Sequence, residues 1–176
     1  MSKPILFISH ISAESELAGI LKSHITHDFL GMVDVFVSAD TDSIGAGTEW
    51  LNKIKAALTA SCIQIVLCSK ASVRRPWVNF EAGAGWLFDR PIIPACHSGL
   101  EPSELPMPFM ALQGVSIGKV DGLRRLYASI AGALDVQPPC ASFESLLRVI
   151  HAYEREYAPY LDESFRRTLD YDSIRP

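Results

Sequence analysis

Four groups of residues have types and spacing that can carry chemistry. Ser9-His10-Ile11-Ser12 follows directly on the apolar run Ile5 to Ile8, and the polar segment Ala39 to Gly47 follows on Val33 to Val37. In Trp77-Val78-Asn79-Phe80-Glu81 an indole and a carboxylate stand four residues apart. At that spacing the two leave one face of a helix together, a pairing able to stack on a flat ring and to stabilise positive charge beside it. Periodicity alone favours the plainer reading of a core tryptophan next to a surface glutamate. The fourth group, Gly114-Val115-Ser116-Ile117-Gly118, has the spacing of a hydrolase nucleophile elbow, and Asp135 and His151 follow in the order acid, then base. Its Ser116 lies inside a short strand and Lys119-Val120-Asp121 separates it from the next helix, which argues against a Ser-His-Asp hydrolase.

Weaker signals read as structure. Gly45-Ala46-Gly47 lacks the third glycine of a dinucleotide-binding turn and does not follow the first strand. His24 and His27 share a helix face without a third ligand, so no metal site is assigned. Cys62, Cys68, Cys96 and Cys140 show neither CxxC pairing nor a histidine at zinc spacing, and read as small core hydrophobes. Gly83 and Gly85 fall inside a helical pattern at a cost of about 1 kcal/mol each relative to alanine, which points to close packing or to a ligand near the backbone.

The elements that position these residues follow from periodicity. Five apolar, β-branched runs (Ile5 to Ile8, Val33 to Val37, Cys62 to Leu67, Pro91 to Ala95 and Val115 to Ile117) predict five strands. Several are almost continuously apolar, as parallel strands covered on both faces must be. Between them, helices are expected from about Ser12 to Asp28, capped by Ser12, Ser15 and Glu16, and from Thr48 through Trp50 to Leu58. A third runs from Ser72 or Pro76 to Leu87 and a fourth from Leu123 to Leu134. The alternation predicts an α/β fold, a flavodoxin-like, doubly wound, parallel five-stranded sheet with its ligand crevice at the carboxyl ends of the strands. Residues 1–134 are expected to form this domain. Residues 135–176 are expected to form a linker and a C-terminal helical extension from Ser142, whose stripe Leu146, Ile150, Tyr153 and Tyr157 is read as a packing face.

The chain has 176 residues, 16 Lys plus Arg against 20 Asp plus Glu, and a hydrophobic fraction of 48%, enough for one ordinary globular core. With a net charge of −4 and no basic cluster beyond three Arg-Arg pairs, nucleic acid is not an expected partner. No run approaches the roughly 20 apolar residues of a membrane span, and no leader is legible, so a cytoplasmic location without membrane contact is expected.

Five segments in order resemble the signatures of a TIR (Toll/interleukin-1 receptor) domain: Pro4 to His10, Ser43 to Gly47, Cys62 to Ser69, Trp77 to Glu81 and Pro91 to Pro94. The resemblance spans about residues 4 to 134, and the W-x-x-x-E element is similar to that of the NAD-cleaving branch found in bacterial antiphage defence. It implies that Glu81 is the catalytic residue, facing a solvent-filled crevice, and that Ser9, His10, Ile11, Ser43, Ile44, Gly45, Trp50 and Trp77 line the substrate pocket. NAD would be a substrate, with no cofactor and no metal. The resemblance further implies self-association through TIR–TIR contacts and a separate effector that reads an ADP-ribose-derived product. Two other classes stay open: a non-catalytic adaptor acting by homotypic contacts, and an enzyme like the nucleoside 2-deoxyribosyltransferases.

Overall fold

A computed structural model describes residues 3–38 and 48–173. Five strands, β1 (Ile5–Ser9), β2 (Asp34–Val37), β3 (Ser61–Cys68), β4 (Ile92–Cys96) and β5 (Val115–Ser116), form one all-parallel sheet in the order β2-β1-β3-β4-β5. The helices are α1 (Ser15–Asp28), α2 (Thr48–Ala60), α3 (Pro76–Leu87), α4 (Val120–Leu134) and α5 (Glu144–Ser173). This is the expected flavodoxin-like α/β arrangement, with both faces of the sheet covered.

The covering divides by side-chain alternation along the strands. Leu6 and Ile8 of β1 and Ile63, Ile65 and Leu67 of β3 pack on one face with Leu17, Leu21 and Ile25 of α1, with Leu126 and Ile130 of α4, and with Leu146, Ile150, Tyr153 and Tyr157 of α5. The tyrosine-bearing stripe of α5 is therefore part of the main core. Phe7 points the other way, to Ile54 and Leu58 of α2, while Val66, Cys68 and Cys96 meet Val78 and Ala82 of α3. In α3 the buried residues Val78, Glu81, Ala82 and Gly85 recur at i, i+3, i+4 and i+7, which turns one stripe toward the sheet.

Two glycines set how closely helices approach strands. A Cβ at Gly85 would stand 1.9 Å from Oε1 of Gln64 on β3, so the second helical glycine serves close packing of α3. Gly83 is exposed with nothing near it. Gly122 lets α4 start against β5, and the helix begins at Val120, one turn earlier than its apolar pattern indicates.

Two local expectations change, at the start of the first helix and at Cys140, and the reading against a triad holds. The first long helix is preceded by a 3-10 turn over Ser12–Glu14, and the backbone N–H of Ile11 is satisfied by the Glu14 carboxylate at 3.3 Å; neither turn nor helix carries a side-chain cap of the expected serine type. Cys140 is exposed, unlike the buried Cys68 and Cys96, because it lies in the polar, proline-rich connection after α4. Ser116 donates to Glu101 at 2.8 Å and His151 donates from Nε2 to the carbonyl of Gly118 at 2.8 Å, so the G-x-S-x-G segment assembles no triad. Among the described residues no helix is long and apolar enough to cross a membrane.

Candidate active site

Parallel strands of a doubly wound sheet end on the same edge, so residues just past each strand gather there. Ser9 closes β1. Ser38 follows β2 and extends the ladder with an N–H to the carbonyl of Ile8 at 2.9 Å. Since Ile8 pairs with Val37, the register brings Ser9 and Ser38 side by side on neighbouring strands. Phe7 and Ser9 alternate with Leu6 and Ile8, which aims Ser9 at the α2/α3 side of the sheet.

Glu81 comes to the same place from α3. Proline at the start of that helix pre-sets its first turn, and Asn79 ties the turn down by donating its amide to the carbonyls of Val73 at 3.1 Å and Arg75 at 2.9 Å. One turn further on, Glu81 accepts the hydroxyl of Ser9 at Oε2 and that of Ser38 at Oε1, the latter at 2.5 Å. Each carboxylate oxygen thus takes one hydroxyl from one of two adjacent strands. The side chain is fully buried, which corrects the expectation that it faces a solvent-filled crevice. A buried carboxylate needs such donors, because desolvating a polar group without a partner costs roughly 2–7 kcal/mol and desolvating a charge costs more.

The remaining predicted positions divide. His10 is buried and donates from Nδ1 to the carbonyl of Ile11 at 2.7 Å, next in sequence to Ser9. The Ile11 side chain is packed into the apolar cluster beneath α3 with Val66, Val78 and Ala82. Trp77 is half-buried against the Phe7, Ile54 and Leu58 cluster, with its ring 5.4 Å from that of Phe80. Trp50 lies in the first turn of α2. Ser43, Ile44 and Gly45 lie outside the described residues.

A second polar cluster at this edge has no counterpart in the sequence reading. Glu14, fully buried, accepts from Ser69 at 2.7 Å, pairs with His97 Nε2 at 3.1 Å and meets the Tyr157 hydroxyl at 3.4 Å. Burial alone pushes its carboxyl up; the hydrogen bond and charge of His97, with the hydroxyls of Ser69 and Ser72, outweigh that and hold it below the ordinary glutamate value. His97 also takes up Ser98 Oγ at Nδ1, 2.9 Å away. Nothing in the local sequence pattern of Ser38, Glu14, Ser69 or His97 marks them as partners of a site. The one available signal is position: Ser38, Ser69 and His97 stand within two residues of a predicted strand end, whereas Glu14 falls inside the helix predicted from Ser12.

Residues 6–127 match the family described as the TIR domain. Among solved structures, the chain is similar to the TIR domains in the structure of the activated Roq1 resistosome directly recognizing the pathogen effector XopQ. The two share 14% identity over 77% of this chain and 86% of that one, with a TM-score of 0.40. No curated protein matches the sequence.

Proposed function

Starting from a chain that belongs to the TIR-domain family, we propose that it is an NAD-cleaving member whose catalytic residue is Glu81. The observation that carries this reading is the two-point hold on Glu81 by Ser9 and Ser38 at the carboxyl ends of β1 and β2. In NAD the bond from nicotinamide to ribose breaks with its electron pair going to the ring, so a cationic pyridinium leaves as neutral nicotinamide and needs no proton. Positive charge then develops on the ribose. A carboxylate kept acceptor-only and fixed in direction is suited to that charge, and fixed electrostatics of this kind are commonly the largest contribution to catalysis. The hydroxyls of Ser9 and Ser38 stand where ribose hydroxyls would donate. On substrate entry the ribose replaces one or both serines as donor, so the carboxylate is never left without partners.

Water adding to the ribosyl cation releases a proton to solvent and gives ADP-ribose; an internal or external nucleophile gives a cyclic or conjugated product. The proposal extends to an ADP-ribose-derived signal read by a separate effector, to self-association through TIR–TIR contacts, and to a cytoplasmic role in bacterial antiphage immunity. Residues 1–134 would form the enzymatic domain and 135–176 its extension. Trp77 would stack its ring face on the nicotinamide or adenine.

The test is nicotinamide release by wild type and Glu81→Gln, with thermal melting of both and a parallel incubation with deoxynucleosides resolved by mass. Loss of the carboxylate is expected to lower turnover by about 10²–10³-fold or more per folded molecule. Unchanged turnover would refute the assignment, and base exchange between deoxynucleosides would favour the transferase reading. Complete burial of Glu81 supports one rival, a non-catalytic adaptor in which the carboxylate only pins α3 to the sheet. In that case Glu81→Gln lowers the melting temperature and wild type releases no nicotinamide.

A further inference from the structure

Helix α5 follows the α/β core in sequence, yet it bonds to the segments after four of the five strands. After β1, the Tyr153 hydroxyl donates to the carbonyl of Ala13 at 3.1 Å, and Tyr157 meets the Glu14 carboxylate at 3.4 Å. After β3, Tyr157 and Ser69 share a hydrogen bond of 3.3 Å. After β4, the N–H of Ser98 donates to Glu154 at 2.7 Å, and after β5, His151 donates to the Gly118 carbonyl. Apolar burial of Leu146 and Ile150 would dock the helix with no need of these bonds. What the polar contacts add is a definite position for each strand end.

One of these ends leads to the candidate catalytic carboxylate. Glu14 bonds at Oε1 to His97, Ser69 and Tyr157, and at Oε2 to the N–H of Ile11, while its own N–H returns to the Ile11 carbonyl at 2.8 Å. The turn from Ile11 to Glu14 is thereby closed on itself and clamped from α5. Two residues back along a buried backbone, Ser9 holds Glu81. His10 between them is buried and bonded within the same segment.

We infer that α5 is a strap that sets the catalytic carboxylate through Glu14: docked, it fixes the Ser9–Glu14 segment and with it the Ser9 hydroxyl on Glu81; released, it leaves that hydroxyl unplaced and the site inactive. Glu14 is on this account a positioning residue, and whatever binds or displaces α5 regulates turnover. The catalytic half of the inference rests on the NAD-cleaving reading above; the mechanical half does not.

The experiment removes only the two clamping hydroxyls, with Tyr153→Phe and Tyr157→Phe combined, which keeps the stacked rings (centroids 5.3 Å apart). Glu14→Gln is the second variant. Amide hydrogen exchange is followed in peptides covering residues 6–14, with α2 as an internal reference, beside the kinetics of nicotinamide release. Exchange at 10–14 is expected to rise about tenfold in the tyrosine variant while α2 is unchanged, since local opening reports the bonds that close a segment. The kcat per folded molecule is expected to fall about tenfold with KM within about twofold, the pattern of lost positioning. Unchanged exchange at 10–14 overturns the strap, and faster exchange with unchanged kcat overturns its link to Glu81. If wild type releases no nicotinamide, the NAD-cleaving reading fails, and the exchange data alone decide whether α5 holds the segment. Should Glu14→Gln not fold, the tyrosine variant carries the test.

Discussion

Alanine is the better helix former, so Gly122→Ala in α4 should stabilise the protein by about 1 kcal/mol on propensity alone. The structure predicts the reverse. A Cβ at residue 122 would stand 1.9 Å from the Ser116 carbonyl oxygen, 2.7 Å from its carbon and 3.1 Å from the Ser116 nitrogen. To reach ordinary contact the helix or the strand must move by about 1.5 Å, a distance set by the excluded size of the atoms. Neither is free to do so. Ser116 is paired with Cys96 in the sheet, and its carbonyl accepts the N–H of Lys119 at 3.2 Å, just ahead of α4. Overpacking costs about 1–3 kcal/mol, and a clash with backbone falls at the upper end, so about 3 less the propensity gain of about 1 leaves a net loss of about 2 kcal/mol. For a domain of this size that lowers Tm by roughly 4–8 °C. Gly132 in the same helix supplies the control: no atom lies within 4 Å of its Cβ position, so Gly132→Ala should stabilise by about 0.4–1 kcal/mol. Urea unfolding monitored by circular dichroism measures both. A Gly122→Ala midpoint at or above that of wild type, or shifts of one sign for both variants, would refute the argument from packing.

Ser9→Ala and Ser38→Ala each remove one hydroxyl from a shared buried carboxylate, and each should cost about 1.5–3 kcal/mol, the worth of a hydrogen bond to a charged group. Because they bond the same group, the double variant should depart from additivity by more than about 0.5 kcal/mol in a denaturation cycle; strict additivity would mean that Glu81 does not couple them. Glu14 is held below the ordinary glutamate value in the fold, so it contributes stability that is present above that value and lost as pH falls through its lowered one. The Tm difference between wild type and Glu14→Gln should accordingly be largest above the ordinary glutamate value and should shrink in acid. A difference that stays constant from pH 7 to the acid limit would contradict it.

What could be read from the chain is what depends on local pattern. Apolar runs such as Ile63, Ile65 and Leu67 must lie in covered strands, and the alternation of strands with amphipathic stretches such as Leu17, Leu21 and Ile25 leaves few topologies open to parallel pairing. The same logic put Ser9 at a strand end and Trp77 with Glu81 on one helical turn. The partners of those residues were not legible, because they are set by contacts between distant positions. Ser9 and Glu81 are 72 residues apart, Ser38 and Glu81 are 43, Glu14 and His97 are 83, and Glu14 and Tyr157 are 143. No periodicity links such pairs. Only the register of β1 on β2 makes Ser38 the neighbour of Ser9, and only the path of α5 across the strand ends brings Tyr157 to Glu14. Burial follows the same division: a glutamate on an amphipathic helix is expected in water, and Glu81 is inside because the tertiary structure supplies two hydroxyls that replace the water it loses.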